Sequence, residues 1–159
     1  MTMILEPLTV GRIEAVMALT VTGAPFVRTR SRSDYWLFAT LFSSTCPVMV
    51  VDHDVVGSVV AFVSQETPAD LYVQDVVTSS GHRRRGVAGR LLSAVAERGR
   101  ELGCSRMYLT SEPENYGAHA AWLSLGFENV PASRKVEGMF VTPDFKGAGY
   151  DRAVYQRFL

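Results

Sequence analysis

Between Ser79 and Gly89 the chain reads Ser-Ser-Gly-His-Arg-Arg-Arg-Gly-Val-Ala-Gly, a composition suited to holding an anion. Gly81, Gly86, Ala88 and Gly89 are small, so backbone N–H groups can approach a ligand without side-chain obstruction. Val87, Leu91, Leu92, Val95 and Leu102 recur at helical spacing, which predicts a helix over Val87 to Leu102 closed by Gly103. The first N–H groups of a helix lack partners within it, and they lie at the positive end of its dipole. That is an anion site, and Arg83, Arg84 and Arg85 add charge to it. The expected ligand is a pyrophosphate.

Other phosphate loops do not fit. A Walker loop needs Gly-Lys-Ser/Thr, which occurs nowhere in the chain. A dinucleotide fingerprint needs GxGxxG with an acidic residue further on, and that spacing is absent too. What remains is Arg83-x-x-Gly86-x-Ala88, leaving a strand and entering a helix. A basic helix start carrying a glycine by chance is the alternative for this loop taken alone.

A second motif lies downstream, Asn115-Tyr-Gly-Ala118-His-Ala-Ala-Trp122-Leu-Ser-Leu-Gly126-Phe127. Together the two resemble the GNAT superfamily of N-acetyltransferases. In that superfamily Gln/Arg-x-x-Gly-x-Gly/Ala is followed by an Asn-x-x-Ala helix that ends in Gly-Phe. The resemblance is strong from Val55 to Phe127 and general outside it. It implies an α/β (α+β) fold with a mixed, mostly antiparallel sheet and flanking helices, and acetyl-CoA as cosubstrate. Backbone groups of Val76, Val77 and Thr78 would then pair with the pantetheine arm. The N–H groups of Arg84, Arg85, Gly86, Val87, Ala88 and Gly89 would hold the pyrophosphate. Asn115 would face the pantetheine or the thioester, Trp122 would pack against the cofactor, and Gly126-Phe127 would seat the helix on the sheet.

Acetyl transfer to an amine requires that the ammonium lose a proton, that the carbonyl oxygen be stabilised, and that the leaving thiolate be protonated. The carboxylates near the strand read at Leu71 to Thr78 are Glu66, Asp70 and Asp75. Asp75 matches an acidic position of related polyamine and aminoglycoside acetyltransferases, so the resemblance makes it the expected base, with Asp70 second. The alternative is that Asp75 ends in solvent or satisfies a bulge. Family members protonate the thiolate with a tyrosine on the late helix, and here that position holds Trp122. An indole N–H donates a hydrogen bond but delivers no proton at neutral pH. Tyr116, Tyr108, His119 and water are the substitutes in reach of the sequence, although His119 at such a position is more often structural.

The acceptor is expected between the first two helices, whose connection reads Pro25-Phe26-Val-Arg28-Thr-Arg30-Ser-Arg32-Ser-Asp34-Tyr35-Trp36. Arginines suit capture of carboxylate or phosphate. Arg28, Tyr35 and Gln74 are the expected acceptor contacts. A solvated loop touching nothing, or arginines that reach the 3′-phosphate of coenzyme A, are the competing readings. The runs Phe62 to Val77 and Thr110 to Asn115 are similar to diaminobutyrate acetyltransferases and also resemble aminoglycoside 3-N-acetyltransferases. These point to a small-molecule primary amine, amino-acid-like or antibiotic-like. A protein N-terminal or lysine acetyltransferase and a non-catalytic acetyl-CoA-binding module are the alternatives.

The elements that must position these groups form one domain over residues 1–159, with 47% apolar residues and 16 basic against 16 acidic side chains. That balance gives no net field for nucleic acid or an anionic membrane. Cys46 and Cys104 lack metal or disulfide spacing and read as core fillers, so no metal is expected. The N-terminus has no signal-peptide pattern and no apolar run reaches the ~20 residues that span a bilayer. A cytoplasmic protein, with a homodimer allowed, is the expectation. Strands are predicted at Met3 to Leu8, Val48 to Val51, Val55 to Val63, Leu71 to Thr78, Met107 to Thr110, Arg134 to Val141 and Ala153 to Leu159. Helices are predicted at Gly11 to Thr20, from a Ser33 cap through Phe42, at Val87 to Leu102 and at Ala118 to Leu125. The order is βααβββαβαββ, which predicts about six to seven sheet strands and four helices in layers.

Overall fold

Asp52 and His53 both take positive φ (49° and 75°), the backbone shape of a two-residue hairpin turn, and they fold β2 (Pro47–Val51) back on β3 (Asp54–Val63). In the computed structural model, which describes residues 1–159, this hairpin sits within a seven-stranded sheet. Before it come β1 (Met3–Pro7), α1 (Ile13–Val21) and α2 (Arg32–Leu41). After it follow β4 (Asp70–Thr78), α3 (Val87–Glu101), β5 (Arg106–Ser111) and α4 (Tyr116–Ser124). The chain ends with β6 (Glu128–Asn129), β7 (Arg134–Val136), β8 (Met139–Val141) and β9 (Ala153–Phe158). The sheet order is β1-β2-β3-β4-β5-β9-β6. Only β4 and β5 are parallel; the other neighbours are antiparallel.

The central strands are covered on both faces, and their side chains alternate between two cores. Met49, Val51, Val59 and Ala61 join Leu91, Leu92 and Val95 of α3 in the larger core. Val48, Val50 and Val60 point the other way, onto Ile13 and Val16 of α1 and Tyr35 and Phe38 of α2. Burial of each such aliphatic side chain contributes about 1.5–3 kcal/mol. Gly57 sets the height of α3: a Cβ there would lie 2.5 Å from Val87 Cγ1, so only glycine lets the start of α3 approach β3 this closely. Cys46 and Cys104 are buried, and burial pushes the Cys46 thiol up to about 12.

The site is created by an irregularity in β4. Val60 faces Asp75 and Ala61 faces Val73, so Gln74 is an extra residue, a bulge. The pairing of β4 with β5 stops at Val73 with Leu109. Beyond that point β4 follows β3 while β5 follows β9, and the two parallel strands part.

Three details differ from the expected elements. The cap of α2 is Ser31, whose side chain accepts from the Asp34 N–H while Asp34 accepts from the Ser31 backbone, a reciprocal pair that outcompetes Ser33. The stretch Arg134 to Val141 is two strands joined by a turn at Glu137 and Gly138, both at positive φ. The short β6 pairs with β9 without an alternating pattern to announce it. No helix is long and apolar enough to cross a membrane.

Candidate active site

The parting of β4 and β5 opens a cleft of about 210 Å³. Gln74, Asp75 and Val76 form one wall, Thr110, Ser111 and Glu112 the other. Asn115 and Trp122 close it from α4, and Phe26, Val27, Arg28 and Arg30 from the α1–α2 connection. Lys146 and Arg152, on the segment between β8 and β9, complete it.

Asp75 is 8% exposed and faces the α1–α2 side of the sheet, because it stands directly opposite Val60. Burial pushes its carboxyl above the ordinary aspartate range; the Arg30 guanidinium, and more distantly Lys146, pull it back. Arg30 donates to Asp75 Oδ2 as a partly buried ion pair. Arg28 lies 4.0 Å from Glu112 and is mostly exposed, a weak contact. On the opposite face, Trp122 Nε1 donates to Ser111 Oγ at 2.8 Å.

The anion cradle adjoins this cleft. Gly86 caps α3 at φ 76° and Arg84 has φ 61°, two left-handed positions in the turn that leads into the helix. No backbone or side-chain acceptor within the protein takes the amides of Arg83 to Gly89. Beside them, the β5-facing edge of β4 from Gln74 to Thr78 has no strand partner. Unpaired amides at a helix start next to an open strand edge fit a ligand with a pyrophosphate at one end and an amide-bearing arm. Arg83, Arg84 and Arg85 are exposed around that cradle.

Of the residues expected to act, Asp75, Gln74, Arg28, Asn115 and Trp122 meet in the cleft. Val77 and Thr78 continue its open edge toward Arg83, Arg84, Arg85, Gly86, Val87, Ala88 and Gly89. Asn115 sits at the cap position of α4 without capping it, which leaves its amide for the cleft.

Two expectations are corrected by position. Asp70 is at the far end of β4, where Arg106 binds it through two nitrogens at 2.8 and 2.9 Å and holds its carboxyl below the usual range, so it does not line the cleft. Tyr35, expected to contact the acceptor, is 1% exposed in the second core, edge-on to Phe38, and does not line the cleft. The proposed proton donors are also elsewhere. His119 Nδ1 is hydrogen-bonded to the hydroxyl of buried Tyr155 at 2.7 Å, Tyr116 is exposed, and Tyr108 packs on Tyr72 and Arg106. Sequence reasoning missed Ser111, Glu112, Lys146 and Arg152. Only the proximity of Thr110 to Asn115 and the Gly-rich setting of Lys146 hinted at them.

The acetyltransferase (GNAT) family model matches residues 14–127, from α1 to the Gly-Phe end of α4. An L-2,4-diaminobutyric acid acetyltransferase of Streptomyces coelicolor is 29% identical over 129 residues, 80% of this chain and 75% of that protein. Among solved structures, diaminobutyrate acetyltransferase EctA from Paenibacillus lautus, in complex with L-2,4-diaminobutyric acid and coenzyme A, superposes with a TM-score of 0.77 at 22% identity. It covers 98% of this chain and 93% of that one. Ard1 from Thermoplasma volcanium superposes with a TM-score of 0.78 at 18% identity, covering 100% and 99%. At these identities the two structures share the fold. With the family model spanning the cradle, the open β4 edge and α4, the chain belongs to the acetyltransferase (GNAT) family, and its reaction is transfer of an acetyl group from acetyl-CoA to an amine.

Proposed function

We propose that this enzyme acetylates a primary amine of a small, amino-acid-like molecule by direct transfer within a ternary complex. The observation that carries the proposal is Asp75: a buried carboxylate on the α1–α2 side of the cleft, at the point where β4 and β5 separate. A carboxylate there attracts a cationic amine and accepts its proton directly or through one water. Acetyl-CoA supplies the activated acetyl group; Arg83 to Gly89 hold its pyrophosphate, and the open edge of β4 aligns its arm.

The cleft is small. Its 210 Å³ lies below the roughly 300–1,000 Å³ usual for drug-sized ligands, which suits a compact acceptor. Its charges favour a zwitterion. Asp75 and Glu112 suit an ammonium, and Arg28, Lys146 and Arg152 suit a carboxylate. A diamino acid such as L-2,4-diaminobutyrate, the substrate named for the relatives above, satisfies both. Arg30 occupies the Asp75 carboxylate in the free protein, so the arriving ammonium shares or displaces that guanidinium.

The test is coenzyme A release measured with a panel of diamino acids, aminoglycosides and peptides with free N-termini. A diamino acid is expected to give the highest kcat/KM. A peptide that outperforms every diamino acid by about tenfold, ~1.4 kcal/mol of transition-state preference, overturns the reading.

A further inference from the structure

The family's tyrosine is replaced by Trp122, which has no transferable proton, yet the leaving thiolate still needs a hydrogen-bond donor. We propose that Ser111 is that donor, with Trp122 as the residue that positions it. The proposal rests on the cleft being the site of acetyl transfer.

The direction of the Trp122–Ser111 bond is unambiguous. An indole N–H only donates, so in the 2.8 Å contact Ser111 Oγ is the acceptor. The Ser111 O–H is therefore left to donate, and no group of the protein accepts from it. Ser111 is 6% exposed and lines the cleft. It lies two residues past Leu109, the last β5 residue to pair with β4, as Asp75 lies two residues past Val73 on the facing strand.

The two side chains lie on opposite faces of the sheet. Asp75 is directly opposite Val60, which belongs to the α1–α2 core. Ser111 is directly opposite Ala153 and follows Leu109 by two residues, and both belong to the α3 core. A thioester passing through the gap between the strands thus meets the carboxylate on one side and the hydroxyl on the other. Acyl substitution passes through a tetrahedral intermediate, and this arrangement lets a base serve the nitrogen and a separate donor serve the sulfur without competing for one position.

The step balances. The amine nitrogen forms a bond to the carbonyl carbon, and the C–S bond breaks with its electron pair passing to sulfur. The ammonium nitrogen loses two protons, one before it attacks and one as the amide forms, and Asp75, or water bound to it, passes them on to solvent. Ser111 donates its hydrogen bond to the sulfur as negative charge develops and relays one proton to it from solvent water. Overall the ammonium and the thioester give the amide, the thiol and one proton released to solvent. Of the tyrosines, Tyr155 is engaged by His119, and Tyr116 and Tyr108 lie outside the cleft; Thr110 lines it but alternates to the opposite face of β5 from Ser111.

Two measurements on Ser111→Ala, Ser111→Thr, Trp122→Phe and Asp75→Asn test this. The first is the pKa of the thiol of bound coenzyme A, followed by ultraviolet absorbance of the thiolate without any acetyl transfer. A donor at sulfur stabilises the thiolate, so this pKa is expected to rise in Ser111→Ala and to stay near the wild-type value in Ser111→Thr. The second is kcat, expected to fall about 100-fold in Ser111→Ala, the low end of what a positioned acid supplies, with acetyl-CoA affinity preserved. Trp122→Phe keeps an aromatic ring but removes the N–H; an intermediate fall in kcat with a wild-type melting temperature supports the positioning role, even if Ser111→Ala proves unstable. An unchanged thiol pKa together with an unchanged kcat in Ser111→Ala overturns the proposal. If Asp75→Asn is impaired at the same time, the cleft assignment survives and only Ser111 is removed. If Asp75→Asn is also unaffected, the cleft itself is misassigned.

Discussion

Arg30, on the connection between two helices, donates to the carboxylate of Asp75, on a strand 45 positions later in the chain. The contact joins the acceptor side of the cleft to the residue proposed as base, and it opposes the effect of burial on that residue's carboxyl. Burial raises the Asp75 carboxyl and Arg30 is the larger of the two cations that lower it.

The first prediction follows from the sign of that balance. In Arg30→Met the desolvation of Asp75 is opposed by Lys146 alone, so its carboxyl rises further and is ionised only at higher pH. The acidic limb of the kcat/KM profile is expected to move to higher pH than in the wild type, while Arg30→Lys stays closer to wild type. A limb that stays in place or moves to lower pH refutes the coupling.

A second prediction separates Gly86, within the anion cradle, from Gly81, just ahead of it. Gly86 has φ 76°, and a Cβ there meets no atom within 4 Å, so the cost of Gly86→Ala is conformational, about 1–2 kcal/mol, and falls on the cap of α3. Gly81 has equal space and no positive φ. Gly86→Ala is expected to weaken acetyl-CoA binding by about tenfold, whereas Gly81→Ala leaves it unchanged. Calorimetric titration with coenzyme A distinguishes them, and equal effects would contradict the role given to the Gly86 cap.

Asp70 carries a third prediction. Its carboxyl is held low by Arg106, so the pair contributes stability that is present above the unfolded carboxyl pKa and lost as pH falls through the folded one. Asp70→Asn is expected to lower the melting temperature at pH 7, to flatten its decline toward acid pH, and to leave kcat unchanged. A large loss of kcat with unchanged stability would return Asp70 to the reaction.

What the sequence made legible is local. Val87, Leu91, Leu92 and Val95 announce α3 by their spacing, and the amides ahead of that helix follow from the geometry of any helix start. Asp75 was singled out by the resemblance, helped by the rarity of a charge inside a strand, whereas its burial opposite Val60 depends on register. Tyr35 was misjudged because its aromatic neighbours do not reveal helix phase: Tyr35 and Phe38 share the buried face of α2, while Trp36 between them is 47% exposed. The partners Arg30 for Asp75, Arg106 for Asp70 and Trp122 for Ser111 depend on strand register and loop closure over long separations, which no local pattern encodes.

The central claim is that acetyl transfer to a small amine takes place in the cleft with Asp75 as its base. Its most direct measurement is steady-state transfer from acetyl-CoA to L-2,4-diaminobutyrate by wild type and Asp75→Asn, with acetyl-CoA affinity measured on both. Loss of kcat by about 100-fold or more, with acetyl-CoA affinity preserved, is the predicted result. Turnover of Asp75→Asn equal to wild type would contradict it.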